Sequence, residues 1–388
     1  MKLIILRTPS RTPTDALKIP VSAADPLAAS IEVVDAFGSD LLDIGRDPTI
    51  SAAAPPMPIQ LVRPVAHSQS VRLGPSIAWG VTAVKADVSP YSGKGVVVAV
   101  LDTGIRRSHP AFAGMDLVVE NFVHGETDAD SAGHGTHCAG TLFGKETEGT
   151  RIGVACGVQK ALIGKVLGEH GGTTDTISKG LLWAYQHEAD IISMSLSIDF
   201  VGYLERLTKN LPRLAATSAA LADYRANVQL FDRIAELIRP RKDVRGAIVV
   251  AAAGNDSSRP AFRIAAGSPA ATEEFISVGA LERTPAESSA KGAIPLKIVY
   301  FSNTGVRFAA PGADILSASL SDSLTSLSGT SMATPHVAGV AALWAQKLRR
   351  PGKSVPGAAV IRSMENAALP LSGDPEDIGI GLVQAPPE

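Results

Sequence analysis

Three stretches of the chain are apolar almost without interruption. They are Gly95-Val-Val-Val-Ala-Val-Leu101, Ala189-Asp-Ile-Ile-Ser-Met-Ser195 and Gly246-Ala-Ile-Val-Val-Ala-Ala-Ala253. A strand with one wet face alternates, whereas a strand covered on both faces does not, so these runs predict buried strands of a parallel sheet. Helical periodicity lies between and after them, at residues 176–187 and 331–348. Alternating strands and helices predict an α/β fold: a doubly wound, mostly parallel sheet with helices on both faces. Ligands of such sheets bind at the carboxyl ends of the strands, which is where candidate chemistry is sought.

Two regions depart from this rhythm. Residues 1–64 carry a β-like run at 2–6, the segments Ile31-Glu-Val-Val-Asp-Ala-Phe37 and Asp40-Leu-Leu-Asp-Ile-Gly45, and a Pro-bearing end. That pattern predicts a small α+β unit. A linker without periodicity is expected at 65–78, and the main domain at 79–388. Within the latter, residues 199–245 place Leu204, Leu207, Leu211, Leu214, Leu221, Tyr224, Val228 and Phe231 at helical steps, with Ser218 the polar exception. Pro212 should split this into two helices. The first part, about 199–217, reads as an added element.

Composition narrows the class. The 388 residues are 45% hydrophobic and 19% charged with a formal net charge of −2. That leaves enough apolar mass for a large core and argues against a polyanion-binding protein. Only two cysteines, Cys138 and Cys156, are present. A disulfide-stapled scaffold is excluded, and two reduced, buried thiols are expected. The apolar run at residues 3–6 is too short for a secretory signal core, and no stretch is long and apolar enough to span a bilayer. A cytoplasmic location is expected, with no nucleic-acid or membrane partner.

Four polar residues stand at places where chemistry is cheap to build. Asp102 follows the first buried run, where a carboxylate is either held at a cleft or spent on a turn. His134 lies in Gly133-His-Gly-Thr-His-Cys-Ala-Gly140. The H-x-x-H spacing to His137 lacks the Glu and the i+4 second histidine of the helical zinc signature, so His137 reads as a packed histidine. Ser331, in Gly329-Thr-Ser-Met-Ala-Thr-Pro-His336, opens a long apolar helix. A serine there caps the helix or uses its positive end to favour a developing anion. Pro335 is expected in the first turn, where proline is tolerated. Asn255 ends a strand and is either a turn residue or an amide donor into the cleft. The chain order Asp, His, Asn, Ser fits neither the α/β-hydrolase nor the chymotrypsin arrangement.

With these motifs and Val97-Val-Ala-Val-Leu-Asp-Thr-Gly104, Ala251-Ala-Ala-Gly-Asn255 and Ala310-Pro-Gly312, the chain resembles the subtilisin-like serine peptidases over about residues 78–385. The resemblance implies a serine endopeptidase with Asp102, His134 and Ser331 as triad and Asn255 as oxyanion donor. It implies substrate-lining residues at Gly171, Gly172, Ser195, Leu196, Ser197, Ala253, Gly254 and Gly267, between whose edges an extended peptide binds as an added strand. Ser197 stands where relatives usually have Gly, which narrows the pocket; an apolar or medium-sized side chain before the scissile bond is expected. Asp256 at the rim could favour a basic one.

No cofactor is implied for the chemistry. Structural calcium in relatives sits in an Asn-rich loop; here that loop holds Glu146 and Glu148 and reads rather as a solvated acidic turn. Residues 1–64 resemble an inhibitory prodomain, which implies a zymogen that cuts itself at about 62–78. A protease of narrow maturation or signalling specificity and a non-catalytic peptide-binding relative are the alternatives.

Overall fold

The computed structural model describes residues 1–8, 28–38, 40–65, 76–239, 246–284, 296–350 and 355–388. Its centre is an eight-stranded sheet. From one edge the strands are Leu296–Ile298, Ile276–Arg283, Ile248–Ala252, Ile191–Met194, Val97–Asp102, Lys160–Lys165 and Asp116–Asn121, with Phe308–Pro311 paired to Ile276–Arg283. All pairings are parallel except that of Leu296–Ile298.

The uninterrupted apolar runs have a direct cause. Val98 and Val100 enter one core and Ala99 and Leu101 the other; Ile248 and Val250 oppose Val249 and Ala251 in the same way. Each strand therefore feeds two hydrophobic layers. One layer is closed by the helices His134–Phe143, Thr330–Leu348 and Gly357–Ala367, the other by Thr174–Gln186 and Arg213–Ile238. No helix among the described residues is long and apolar enough to cross a membrane.

The N-terminal residues form a three-stranded antiparallel sheet in the order Ser30–Asp35, Lys2–Arg7, Ile50–Ala54, with a short helix at Asp40–Arg46. Alternation within Lys2–Arg7 again serves two layers. Leu3 and Ile5 pack with Ala36 beneath Ile44, while Ile4 and Leu6 enter the core that lies over Thr174–Gln186 and Arg213–Ile238. Hydrogen bonds reinforce this seat: Gln186 Nε2 donates to Ala29 O at 3.0 Å and Asn227 Nδ2 to Pro55 O at 2.9 Å. Of the expected linker, residues 66–75 lie outside the described ones. Val65 N donates to Ser328 O at 2.8 Å, and Ser76–Ile77 pair with Thr150–Arg151.

Pro212 separates two helices, Phe200–Thr208 and Arg213–Ile238. Of the expected added element at about 199–217, the first part is the helix Phe200–Thr208 and the last residues open the second helix, whose buried face runs on to Ile238. The first-turn placement of Pro335 is corrected. The helix begins at Thr330, so Pro335 sits in its second turn and cannot donate to Ser331 O. That carbonyl is satisfied by side chains instead, Cys138 Sγ at 3.4 Å and Ser195 Oγ at 3.4 Å. Cys138 is buried, but Cys156 is partly exposed, contrary to the expectation of two buried thiols; both are unpaired.

Candidate active site

Asp102 is the last residue of its strand and is buried. His134 opens the His134–Phe143 helix, whose N-cap, Gly133, has no side chain to offer. Asp130 does that work from three residues upstream: its carboxylate accepts from the backbone N–H of Ala132, Gly133 and Thr136 at 2.8–3.0 Å. Thr103 Oγ1 donates to Asp130 and accepts from Gly135 N, which ties the His134 turn to the residue after Asp102. Gly135 makes the approach feasible, because a Cβ there would lie 2.2 Å from Gly104 O.

The result is a His134 Nδ1–Asp102 Oδ1 contact of 2.8 Å. Burial disfavours a charged His134 ring, yet the Asp102 carboxylate outweighs it and holds the histidine well above its ordinary value. The other ring nitrogen, Nε2, is buried with no hydrogen-bond partner among the described residues. His137 points elsewhere. Its Nε2 donates to Ile315 O at 2.9 Å and Thr325 O at 3.2 Å, pinning the hairpin of Ile315–Ala318 and Leu324–Leu327, and burial pushes it down to about 3. Among the described residues, the sole group of three metal-capable side chains in mutual reach is Asp102, His134 and Cys138; Glu146 and Glu148 are brought into no such group.

Ser331 is buried in the first turn of its helix, where unpaired backbone N–H groups concentrate positive potential. Asn255 lies across from it. Its Oδ1 accepts from both Thr330 N and Thr330 Oγ1 at 2.9 Å, which fixes the amide so that Nδ2 faces the cleft. Ala253 O and Asp256 are held in turn by Asn303, so the Asp256 carboxylate is engaged rather than free at the rim.

The cleft is filled by the chain's own N-terminal segment. Pro58–Leu61 forms the middle strand of a three-stranded sheet, antiparallel to Gly172–Thr173 on one side and Leu196–Ile198 on the other. Gly172 faces Ile59, Leu196 faces Leu61 and Ser197 faces Gln60. Gly171 turns with φ +86°, and a Cβ there would lie 2.7 Å from Ile59 O. Val62 N reaches Ser195 O at 3.3 Å, and the Val62 side chain is buried. Ser331 Oγ donates to Val62 O at 2.9 Å, whereas Asn255 Nδ2 donates to the next carbonyl, Arg63 O, at 2.9 Å. Gly254 N is bonded to Thr330 Oγ1 at 3.2 Å. Gly267 adjoins Ser268, whose carbonyl accepts from Ile198 N at 3.0 Å, and it meets nothing that a Cβ would touch.

The sequence motifs thus come together in one cleft, but several residues that shape it went unread. Asp130 was detectable, as a carboxylate just ahead of a glycine N-cap. Thr330 and Asn303 act through contacts far along the chain and carry no local signal.

Comparison with known proteins agrees with this architecture. The subtilase family model matches residues 93–380. Subtilisin DY of Bacillus licheniformis is 33% identical over 79% of this chain and 97% of its own length. An intracellular serine protease of Paenibacillus polymyxa is 33% identical over 75% of this chain and 79% of its own length. Subtilisin Savinase of Lederbergia lenta is 32% identical over 80% and 97%.

Proposed function

The chain belongs to the subtilase family of serine endopeptidases, whose catalysis needs no cofactor, and we propose that Asp102, His134 and Ser331 are its triad, Asn255 its oxyanion donor, and its N-terminal segment the inhibitor of a self-processing zymogen. Ser331 attacks the scissile carbonyl while His134 Nε2 takes its proton. Asp102 fixes the imidazole through Nδ1 and stabilises its cationic form. The tetrahedral oxyanion is met by Asn255 Nδ2 and the Ser331 N–H at the helix start. His134 then protonates the leaving amine, and water clears the acyl-enzyme.

The observation that carries the zymogen reading is the strand in the cleft. Its carbonyls straddle the machinery: Val62 O faces the nucleophile, while the oxyanion donor holds Arg63 O. The carbonyl nearest Ser331 is therefore not the one Asn255 polarises, and the Ser331 hydroxyl is diverted from His134. A slip by one residue would make Pro64 the leaving group, an amide nitrogen without N–H and with fixed φ. The buried Val62 beside Ser195 supports a preference for apolar, medium-sized side chains before the cleaved bond. Release of the segment opens the cleft, with cleavage expected between about residues 62 and 78.

A cytoplasmic site of action belongs to the same reading, supported by two unpaired cysteines and by a relative named as intracellular. The test is covalent labelling by a fluorophosphonate. Wild type takes the label after incubation and Ser331→Ala never does; labelling of the variant would remove Ser331 as nucleophile.

A further inference from the structure

Lys165 ends the strand beside Asp102, paired with it in register, and its side chain is 2% exposed. Lysine is almost never buried so deeply unless paired, and nothing in the proposed chemistry uses it. Among the described residues its ammonium meets two groups. One is Ala129 O at 2.9 Å, the residue before Asp130, whose carboxylate caps the His134 helix. The other is Glu126 Oε2 at 3.0 Å. Glu126 turns its second oxygen, Oε1, to accept from Glu169 N at 2.9 Å.

Glu169 lies in a tight turn closed by reciprocal backbone bonds between Gly168 and Gly171, at 2.9 and 3.1 Å. That turn delivers Gly172–Thr173, the cleft edge on which an extended peptide lies. Glu126 fits it closely, since a Cβ on Gly168 would come within 2.2 Å of Oε1. The Lys165 hydrogen bond is also the leading cause that holds the Glu126 carboxyl below its ordinary value, so the link is an ionic one.

Resting on the proposed function, we infer that Lys165 is a positioning residue that couples the cleft edge at Gly171–Thr173 to the loop presenting His134. Strand-like binding of a long substrate against that edge bears on Glu126, and through the ammonium on the loop that sets the His134 ring. A short substrate does not reach the edge and gains nothing from the link. Hydrophobic packing alone would predict no loss with either substrate in Lys165→Met, because Met of similar length fills the same space.

The test compares wild type, Lys165→Met, Glu126→Gln and the double variant. Rates are expressed per active site, counted by fluorophosphonate titration. A substrate with four residues before the cleaved bond should show kcat/KM lowered about tenfold in each single variant, with a fall in kcat and not in binding alone. A single-residue ester should change less than about twofold. The double variant should be no worse than the poorer single one, because both break the same link. An unchanged kcat/KM for the long substrate, a loss carried by KM alone, equal losses for long and short, or a loss confined to the number of titratable sites would each overturn the inference. Should Lys165→Met fail to fold, Glu126→Gln decides alone, since that side chain is 26% exposed and can be changed without emptying the core. A wild type that takes no label would overturn the Ser331 assignment and this inference with it.

Discussion

Asn255 owes its direction to Thr330. An amide in the turn after a strand can rotate, but two donors on Oδ1 leave Nδ2 only the cleft to face. Asn255→Ala should therefore lower kcat by roughly two to three orders of magnitude with little change in KM, the loss typical of deleting an oxyanion donor. Thr330→Val keeps the backbone donor and removes the hydroxyl. It should lower kcat by about tenfold, again at nearly constant KM. Steady-state kinetics on a peptide amide separates these outcomes; a loss carried by KM alone would contradict the role. The places of Asp102 at a strand end and of His134 and Ser331 at helix starts were legible in the sequence, because local periodicity exposes such positions, whereas Asn255, read as ending a strand, lies in the turn after Ile248–Ala252. Thr330 and Asn303 were not legible, since their partners are dozens of residues away and no spacing records them.

The elements were read where burial is two-sided. Runs such as residues 95–101 have no polar alternation to hide their length, and the strand that forms there starts and stops within two residues of the run. Shorter strands were missed. Pro58–Leu61 is only four residues long, bears a proline and pairs with segments more than a hundred residues ahead, so its register is set by the cleft and not by its own pattern. The helix Phe200–Thr208 lies beside the cleft strand, since Asp199, its N-cap, donates its own N–H to Pro58 O at 2.9 Å. Its far side is held by Tyr203 Oη on Asp223 at 2.6 Å and by Phe200 against Tyr224. Asp199→Ala removes the cap on Gly202 N and should cost about 1 kcal/mol in thermal or denaturant unfolding. Replacing residues 200–211 by a short linker should alter cleavage preference at positions well before the cleaved bond more than it lowers stability. A peptide-library profile unchanged by the replacement would deny the helix that role.

The whole molecule is a protease body with its own segment lying in the cleft, so conditions that loosen the N-terminal unit should expose the site. Asp47 offers one. Thr49 hydrogen bonds, then Arg7, hold its carboxyl down to about 2 from an ordinary 3.8. A depressed carboxyl contributes stability above its unfolded value and loses it as pH falls through the folded one. The Asp47 contribution is thus complete above about pH 5 and is lost progressively toward about pH 1, and Asp47→Asn should flatten the pH dependence of the unit's hydrogen exchange in that window. The central claim is that Ser331 cuts the chain that blocks it. Intact mass followed during incubation tests this most directly. The account predicts that wild type sheds an N-terminal fragment ending between about residues 62 and 78 while Ser331→Ala keeps full mass. Equal shortening of both proteins, or a wild type that stays whole yet hydrolyses peptides at full rate, would contradict it.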